Sequence, residues 1–164
     1  IKDNVKTPYI FHLEDDWKFY CQRNYMTDCL SILSQDEKIG QCLINKNYAE
    51  LPCDGPKIIG GKQLITTTNI RYVEHEYVIT DEERKIFTDI HGNGLNCAYW
   101  PHFSIRPSLI KRIIFDIGNF NKEANHFEME YSLRYVEKGY KSVFLEGVYC
   151  QHIGKFTIQK REKK

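Results

Sequence analysis

The sequence predicts a single α/β domain with a mixed central sheet flanked by helices. Three observations predict it: apolar runs of strand length alternate with segments whose apolar residues recur at helical spacing, turn residues separate them, and no internal repeat or low-complexity linker interrupts the series. With 164 residues, 41% of them hydrophobic, the chain can bury one core. Alternating strands and helices therefore indicate a mixed α/β sheet, in one domain that covers residues 1–164.

The first half of the chain is expected to supply several strands and one helix. The helix is predicted over 24–35, where Cys29 and Leu33 recur at helical spacing. Gly and Pro residues, together with Asn and Asp, mark 45–61 as a loop. The remaining expectations are strands at 8–13 and 39–44, strand candidates at 71–73 and 77–79, a polar charged segment at 81–89 and a turn at 91–94.

The second half is expected to hold two helices and three strands. Pro107 is placed as the first residue of a helix through about Phe115, because its fixed φ and missing N–H suit that position. A second helix is predicted over 126–138, and Gly139 is expected to end it. Strands are expected at 95–104, 141–145 and 148–152.

Charge and cysteine spacing narrow the range of partners and compartments. The formal net charge is +1, from 23 basic and 22 acidic residues, so no global field recruits nucleic acid or an anionic membrane. None of the six cysteines forms a Cys-x-x-Cys pair, and their irregular spacing favours reduced thiols in a reducing compartment. No apolar stretch approaches the roughly 20 residues that span a bilayer. We therefore expect a cytoplasmic location, no membrane segment and no nucleic-acid partner.

Three consecutive carboxylates, Glu14, Asp15 and Asp16, end the first apolar run. Adjacent like charges repel one another unless a cation or a set of donors stabilises them, so a metal ion is the natural inference. The carboxyl end of a buried strand is also where open α/β sheets bind their ligands. Acidic residues after a strand can instead serve as turn formers or helix N-caps, and this alternative stays open.

Two further polar clusters lie at the edges of expected elements. Glu128 and Glu130 fall at the start of the second predicted helix, and His152 falls at the end of the last predicted strand. Acidic residues in the first turn of a helix are favoured by its macrodipole, and an isolated histidine is more often a hydrogen-bonded core or rim residue. Taken together with the triplet at 14–16, the two clusters favour residues that converge on a cleft.

The order of these motifs resembles GT-A glycosyltransferases, and most of all glycosyltransferase family 2. The residues that carry the resemblance are Leu13-Glu14-Asp15-Asp16-Trp17, Phe127-Glu128-Met129-Glu130-Tyr131 and Cys150-Gln151-His152-Ile153-Gly154. In that family an Asp-x-Asp motif binds a divalent cation and the donor's diphosphate, an acidic helix start carries the catalytic base, and a late histidine can complete the metal site. The resemblance implies a GT-A fold, the nucleotide-diphospho-sugar transferase type, over nearly the whole chain.

The resemblance implies a metal site formed by the acidic triplet and His152. Glu14 and Asp16 match the outer positions of Asp-x-Asp and Asp15 the middle one, so all three are expected near the donor diphosphate. Asp16 and His152 are the implied metal ligands. Oxygen ligands with one imidazole favour Mn²⁺ over Mg²⁺. Glu14 departs from the family's pattern, in which the first residue is aspartate.

The catalytic base is implied at the start of the second predicted helix. Glu128 falls on the family's base aspartate and Glu130 on the acidic residue two positions later. Because Phe-Glu stands where the family has Glu-Asp, both glutamates stay candidates. The candidates for stacking on sugar rings are Trp17, Trp100 and Phe103, although aromatic residues in strands are more often core.

The implied activity is metal-dependent transfer of a sugar from a UDP- or GDP-linked donor to a hydroxyl of a glycan, protein or lipid acceptor. Direct displacement would invert the anomeric centre. In the family a nucleotide-binding βαβ part precedes the metal motif, which here begins at Glu14. We therefore expect an incomplete fold, the carboxyl-terminal catalytic and acceptor part of a longer enzyme. Two alternatives stay open: a non-catalytic carbohydrate-binding or scaffold module, and a metal-dependent phosphoesterase.

Overall fold

A six-stranded mixed sheet with helices on its faces forms the centre of the fold, as the sequence predicts. The computed structural model describes residues 4–45, 61–91 and 98–154, apart from the side chain of His91. The strands are β1 (Tyr9–His12), β2 (Trp17–Phe19), β3 (Ile39–Leu43), β4 (Lys62–Ile65), β5 (Arg71–Glu74), β6 (Ser108–Lys111), β7 (Lys141–Leu145) and β8 (Cys150–His152). The helices are α1 (Tyr25–Leu33), α2 (Asp81–His91) and α3 (Phe127–Glu137), with a 3₁₀ helix at Arg112–Ile117.

The strand order in the large sheet is β1-β6-β3-β7-β5-β4, and β2 pairs with β8 in a separate ribbon. Strands β3 and β7 run parallel, and all other neighbours in the large sheet run antiparallel. The register pairs His12, the last residue of β1, and Leu43, the last residue of β3, with Ser108 at the start of β6. The carboxyl ends of β1, β3 and β7 therefore share one side of the sheet, which we call the carboxyl edge. Open α/β sheets bind their ligands at this edge.

Two apolar layers cover opposite faces of the sheet. One layer consists chiefly of Cys29, Ile32 and Leu33 from α1 with Ile39, Cys42, Leu109 and Val143 from the strands. The other consists of Phe103, Ile110, Ile114, Phe115, Tyr131 and Tyr135. Leu109 and Ile110 are neighbours in β6, and successive side chains of a strand point to opposite faces. Helix α1 therefore lies on one face of the sheet and α3 on the other.

Helix α3 begins and ends close to the predicted residues. The His126 ring accepts a hydrogen bond at Nδ1 from the backbone N–H of Met129, at 3.5 Å, and so caps the amino end. At the other end, Gly139 adopts a left-handed φ of 77° and donates its N–H to the carbonyl of Val136 at 2.8 Å. Glycine adopts this conformation without strain, which is why the helix ends here.

Most of the other predicted elements are confirmed, with bounds that differ from the prediction by at most two residues. The predicted strands at 8–13, 39–44, 71–73, 141–145 and 148–152 correspond to β1, β3, β5, β7 and β8, and the predicted helix at 24–35 corresponds to α1. Most of the predicted loop at 45–61 and of the predicted turn at 91–94 lies outside the described residues.

The predicted helix from Pro107 to Phe115 is wrong. Its first part is the strand β6, and its second part is the 3₁₀ helix. Strand β6 pairs with β1 on one side and with β3 on the other, so it lies inside the sheet. Backbone pairing on both sides and burial against two apolar layers outweigh the local preference of proline for a helix start.

Helix α2 forms where the sequence analysis predicts only a polar segment, and the strand candidate just before it at 77–79 is wrong. The signal for this helix is a capping box. The Thr80 hydroxyl accepts from the Glu83 N–H at 3.2 Å, while the Glu83 carboxylate accepts from the Thr80 N–H at 2.9 Å. Such a reciprocal pair predicts a helix start at this point.

The predicted strand at 95–104 is also wrong in its described part, because residues 98–104 form turns and bends. This segment packs over the face of the sheet that carries α3. Phe103 is 1% exposed and lies in the apolar core, so it is not a sugar-stacking residue.

Candidate functional site

The carboxyl edge brings Asp16 and His152 together, although 136 positions separate them in the sequence. The pairing of β2 with β8 places Trp17 opposite His152, and the N–H of Ile153 donates to the carbonyl of Asp16 at 2.7 Å. Within this ribbon, Oδ2 of Asp16 lies 2.9 Å from Nε2 of His152. The two implied metal ligands therefore form one corner, which we call the Asp16–His152 corner.

The other members of the acidic triplet differ in their surroundings. The indole N–H of Trp17 donates to Oε2 of Glu14 at 2.9 Å, and the Trp17 ring lies 5.4 Å from the His152 ring. Glu14 is half-buried by this contact, whereas Asp15 is exposed. Asp16 is therefore the member of the triplet that contacts His152.

The Asp16–His152 corner contains two side chains that could hold a cation together with ligands from a substrate. Oδ1 of Asp16 is buried and has no hydrogen-bond partner in the described part of the chain. A Cβ at Gly154 would collide with Oδ2 of Asp16 and lie 2.9 Å from Nε2 of His152, so only glycine fits at this position against the pair. Residues 4–45, 61–91 and 98–154 contain no group of three or more His, Cys, Asp or Glu side chains placed to hold a metal ion. Mg²⁺-like ions are commonly held by one or two carboxylates with substrate phosphates, and two protein ligands fit that mode.

Asn45 anchors the β2–β8 ribbon to the carboxyl edge. This residue lies two positions after the end of β3 and is 5% exposed. Its Oδ1 accepts from the N–H groups of Tyr149 at 2.7 Å and Cys150 at 3.1 Å, and its Nδ2 donates to the carbonyl of Cys150. A buried amide that satisfies three backbone groups holds β8, and with it His152, in one position.

A cavity of about 250 Å³ lies on the α3 side of the same sheet. Its aromatic and imidazole walls come from His75, Tyr99, Trp100, His102 and Phe144, and its polar groups include Ser104, Arg106 and Glu128. Ligand pockets of this kind combine mostly apolar walls with a few placed polar groups. We call this space the Glu128 cavity.

Glu128 is held in the cavity wall by the loop that precedes β6. Its Oε1 accepts from the hydroxyl of Ser104 at 3.0 Å and from the N–H of Ile105 at 2.9 Å. In the described part of the chain, Oε2 has no hydrogen-bond partner. Glu128 also lies in the first turn of α3, where the helix macrodipole stabilises a carboxylate. The carboxylate is therefore fixed through one oxygen.

Glu130 is paired elsewhere. Its two carboxylate oxygens accept from Nε of Arg134 at 2.7 Å and from Nη2 at 2.9 Å. Arg134 also donates to the carbonyls of Ile117 at 3.3 Å and Asn119 at 2.8 Å, so the pair ties α3 to the end of the 3₁₀ helix. Glu130 is not among the residues that line the Glu128 cavity. Of the two glutamates that the sequence offers as a base, Glu128 is the one in a cavity.

Gln41 connects this loop to the sheet, and the sequence analysis does not identify it. Gln41 is fully buried in β3, where its Nε2 donates to the carbonyl of Ser104 and to Oγ of Ser108, the latter at 2.9 Å. Its Oε1 accepts from the N–H of Ser104 at 3.1 Å and from the hydroxyl of Ser142 at 3.2 Å. The signal for this role is a glutamine in the middle of an otherwise apolar strand, since a buried amide requires partners.

Arg106 lies between the Glu128 cavity and the ribbon. It lines the cavity and also a narrow cleft whose other walls include Trp17 and Cys150. Burial lowers the pKa of His75 to about 4, and the nearby charge of Arg106 adds to that shift. Burial raises the pKa of Cys150 to about 12, and the same arginine opposes that shift. The charge of Arg106 therefore lowers the pKa of His75 in the cavity and opposes the rise in the pKa of Cys150 in the ribbon.

Trp100 lies in the wall of the Glu128 cavity. Its indole N–H donates to the carbonyl of Phe103 at 2.7 Å, and its ring lies edge to face with the His126 ring at 5.5 Å. Both contacts fix the orientation of the indole. Trp17, the other candidate, lies in the ribbon beside His152.

Comparison with known proteins adds no relative to this picture. No protein-family model matches the sequence, and no curated protein matches it. None of the helices in the described ranges is long and apolar enough to cross a membrane.

Replacing Gln41 with leucine is expected to destabilise the chain by about 1–3 kcal/mol, because Ser104 and Ser142 then lose partners in a buried place. Urea denaturation at pH 7 measures this change. Gln63→Leu is the matched control, since Gln63 is exposed on β4 and its replacement should cost less than about 0.5 kcal/mol. Equal losses in the two variants would contradict the proposed role of Gln41.

Acidification is expected to destabilise the fold through two histidines, the buried His75 and the half-buried His102. Burial lowers the pKa of His75 to about 4 and that of His102 to about 3, whereas an unfolded histidine titrates near 6.5. Protons therefore bind the unfolded chain more readily, and the stability present above pH 6.5 is lost as the pH falls toward these values. At pH 5 the expected loss is about 1–2 kcal/mol for each histidine.

Urea denaturation of wild type and of His75→Phe at pH 7 and pH 5 tests this dependence. The phenylalanine variant should lose less stability between the two pH values than wild type does. Asp36 and Glu83, whose pKa values are lowered below the usual carboxyl range, titrate beneath this window. An identical loss in both proteins would assign the acid sensitivity to other groups.

Proposed function

We propose that this chain carries the metal-binding and acceptor-activating groups of a GT-A-type glycosyltransferase, most similar to glycosyltransferase family 2. The proposed reaction moves a sugar from a nucleotide-sugar donor to an acceptor hydroxyl. The observation that carries the proposal is the 2.9 Å contact between Asp16 and His152 at the carboxyl edge. That contact joins two motifs from opposite ends of the sequence, next to a cleft that shares Arg106 with the Glu128 cavity.

Asp16 and His152 would hold the divalent cation, and oxygen with imidazole ligation favours Mn²⁺ over Mg²⁺. When bound, the cation would neutralise the negative charge that builds up on the departing diphosphate. The unpartnered Oδ1 of Asp16 supports this assignment, because a buried carboxylate oxygen needs a partner. Glu14 is held by Trp17 and Asp15 is exposed, so their proposed role is the electrostatic environment of the diphosphate.

Glu128 would act as the general base. Its Oε1 is committed to Ser104 and Ile105, which leaves Oε2 to take a proton from an acceptor hydroxyl. The acceptor oxygen would then attack the anomeric carbon while the bond to the nucleoside diphosphate breaks, and the configuration would invert. General-base assistance of this kind is typically worth about 10²- to 10⁴-fold in rate. Glu130 is less suited to this role because Arg134 binds both of its oxygens.

The aromatic walls of the Glu128 cavity suit the apolar face of a sugar ring. Trp100 presents an indole whose orientation is fixed by its bond to Phe103 and by the His126 ring. Aromatic side chains provide a large apolar surface with specific geometry, which is the usual way in which proteins hold sugar rings. We therefore assign the acceptor to this cavity and the donor diphosphate to the Asp16–His152 corner.

Replacing Asp16 with asparagine is expected to reduce Mn²⁺-dependent release of nucleoside diphosphate from UDP- or GDP-sugars by at least about 100-fold, because a charged metal ligand is lost. Asp89→Asn is the matched control, since Asp89 is exposed on α2 and has no part in the proposed site, so this variant should retain most of the activity. Wild-type turnover in the Asp16 variant would show that Asp16 is not a metal ligand. Mn²⁺ binding by wild type without any turnover would favour the non-catalytic carbohydrate-binding module.

Replacing Glu128 with glutamine is expected to lower sugar transfer by about 10²- to 10⁴-fold while Mn²⁺ affinity stays unchanged, because only proton abstraction is lost. Glu130→Gln is the matched control. It weakens the bond to Arg134, and its main effect should be a loss of stability with less than about 10-fold change in transfer. Initial rates with a fixed donor and acceptor measure both. The reverse order of effects would move the base to Glu130.

A further inference from the structure

Two histidines in the wall of the Glu128 cavity, the buried His75 and the half-buried His102, have no part in the proposed chemistry. His75 and His102 both line this cavity, and their rings lie edge to face with centroids 5.0 Å apart. His75 is 7% exposed at the carboxyl end of β5. His102 belongs to the segment before β6 that also carries Ser104 and Ile105. The pair therefore adjoins the carboxylate that would activate an acceptor.

Hydrogen bonds to the main chain assign the proton on each imidazole ring. The N–H of Ser142 donates to Nδ1 of His102 at 3.1 Å, so in the neutral ring the proton is on Nε2. Nε2 of His75 lies 2.8 Å from the carbonyl oxygen of Trp100, which can only accept, so this nitrogen carries the proton and Nδ1 has the lone pair. Each ring thus has one nitrogen engaged by the protein.

The two remaining nitrogens have opposite hydrogen-bonding character. Nε2 of His102 is a donor and Nδ1 of His75 is an acceptor, and neither is hydrogen-bonded to any group in the described part of the chain. Neither atom is buried without a partner, so both reach space that a ligand or solvent can occupy. Burial lowers the pKa of both rings well below 7, which keeps them uncharged at neutral pH.

The backbone of His102 supports a role beyond packing. Its φ is 67°, a left-handed value that is uncommon for a residue other than glycine. Such strain persists where the surroundings impose it, commonly at ligand sites. Here the Ser142 hydrogen bond and the His75 ring hold the imidazole against the cavity.

We propose that His75 and His102 select the acceptor, as a neutral donor–acceptor pair that binds adjacent hydroxyl groups of an uncharged pyranose ring. This assignment of an acceptor class rests on the proposed function. A hydroxyl donates one hydrogen bond and accepts others, so neighbouring hydroxyls satisfy an imidazole donor and an imidazole acceptor at the same time. The aromatic wall of Trp100 supplies the apolar surface for the same ring.

The test measures binding of methyl glycosides of glucose, galactose and mannose, and of their 2-, 3- and 4-deoxy derivatives, without donor or metal. Chemical shifts of the Trp100 indole N–H report occupancy of the cavity. Wild type should bind at least one parent glycoside, and one of its deoxy derivatives should bind at least about 10-fold more weakly. In His75→Phe that ratio should fall to within about two-fold of unity.

His102→Asn is the matched control for this pair. Asparagine tolerates a left-handed backbone and offers both a donor and an acceptor, so this variant should keep part of the discrimination between parent and deoxy glycosides. His75→Phe is free of backbone strain at its own position, because His75 has no left-handed φ. An unchanged ratio in His75→Phe, or no binding of any parent glycoside by wild type, would overturn the inference.

The binding assay also separates this inference from the proposed function. Glycoside binding with histidine-dependent selectivity but no sugar transfer would uphold the pair as a sugar-binding element and refute the transferase. Metal-dependent transfer whose acceptor preference is the same in wild type and His75→Phe would uphold the transferase and refute the pair.

Discussion

The buried side-chain amide of Gln41 is the interaction on which the rest of the site depends. It binds Ser104 through both backbone groups, and it also contacts the hydroxyls of Ser108 and Ser142. Ser104 and the next residue then donate to Glu128. The position of the candidate base is therefore set by a strand on the other side of the loop. A buried network of this kind is specific because each unsatisfied member would cost free energy.

The segment just after the same strand holds Asn45, which positions the Asp16–His152 corner. Asn45 follows β3 and binds the backbone of Tyr149 and Cys150, which places His152 opposite Trp17. Gln41 and Asn45 are four positions apart. Their side-chain amides thus organise the Glu128 cavity and the Asp16–His152 corner, whose residues lie far apart in the sequence. Arg106 lines both the Glu128 cavity and the narrow cleft beside the β2–β8 ribbon. The proposed metal ligands and the proposed base are therefore adjacent to groups that share Arg106.

Much of the fold follows from local patterns in the sequence. The buried strands β3 and β7 and the helices α1 and α3 have clear apolar spacing, and Gly139 ends α3 as expected. Strand β6 was predicted as a helix because Pro107 and the apolar residues after it suit both elements. Pairing with two neighbouring strands decides between them, and a local pattern carries no information about that pairing. Helix α2, by contrast, has a local signal in its Thr80 capping box.

Some residues of the candidate site can likewise be predicted from the sequence, and others cannot. The sequence analysis identified Asp16, Glu128 and His152 because each belongs to a polar cluster at the edge of a predicted element. Gln41, Asn45 and the two cavity histidines carry no charge at neutral pH and stand singly in the sequence. Their roles depend on partners that only the folded chain brings near, such as the N–H of Ser142 for His102. The separation of Glu128 from Glu130 likewise required the position of Arg134.

The most direct test asks whether the Asp16–His152 corner and the Glu128 cavity form one site. The chain has two tryptophans, Trp17 in the ribbon and Trp100 in the cavity wall, so two indole N–H signals report on the two places. Titration with Mn²⁺, a paramagnetic ion, should broaden the Trp17 signal first and the Trp100 signal next, and Asp16→Asn should abolish both effects. Broadening that spares Trp17, that leaves the Trp100 signal unaffected, or that survives unchanged in Asp16→Asn, would contradict the account.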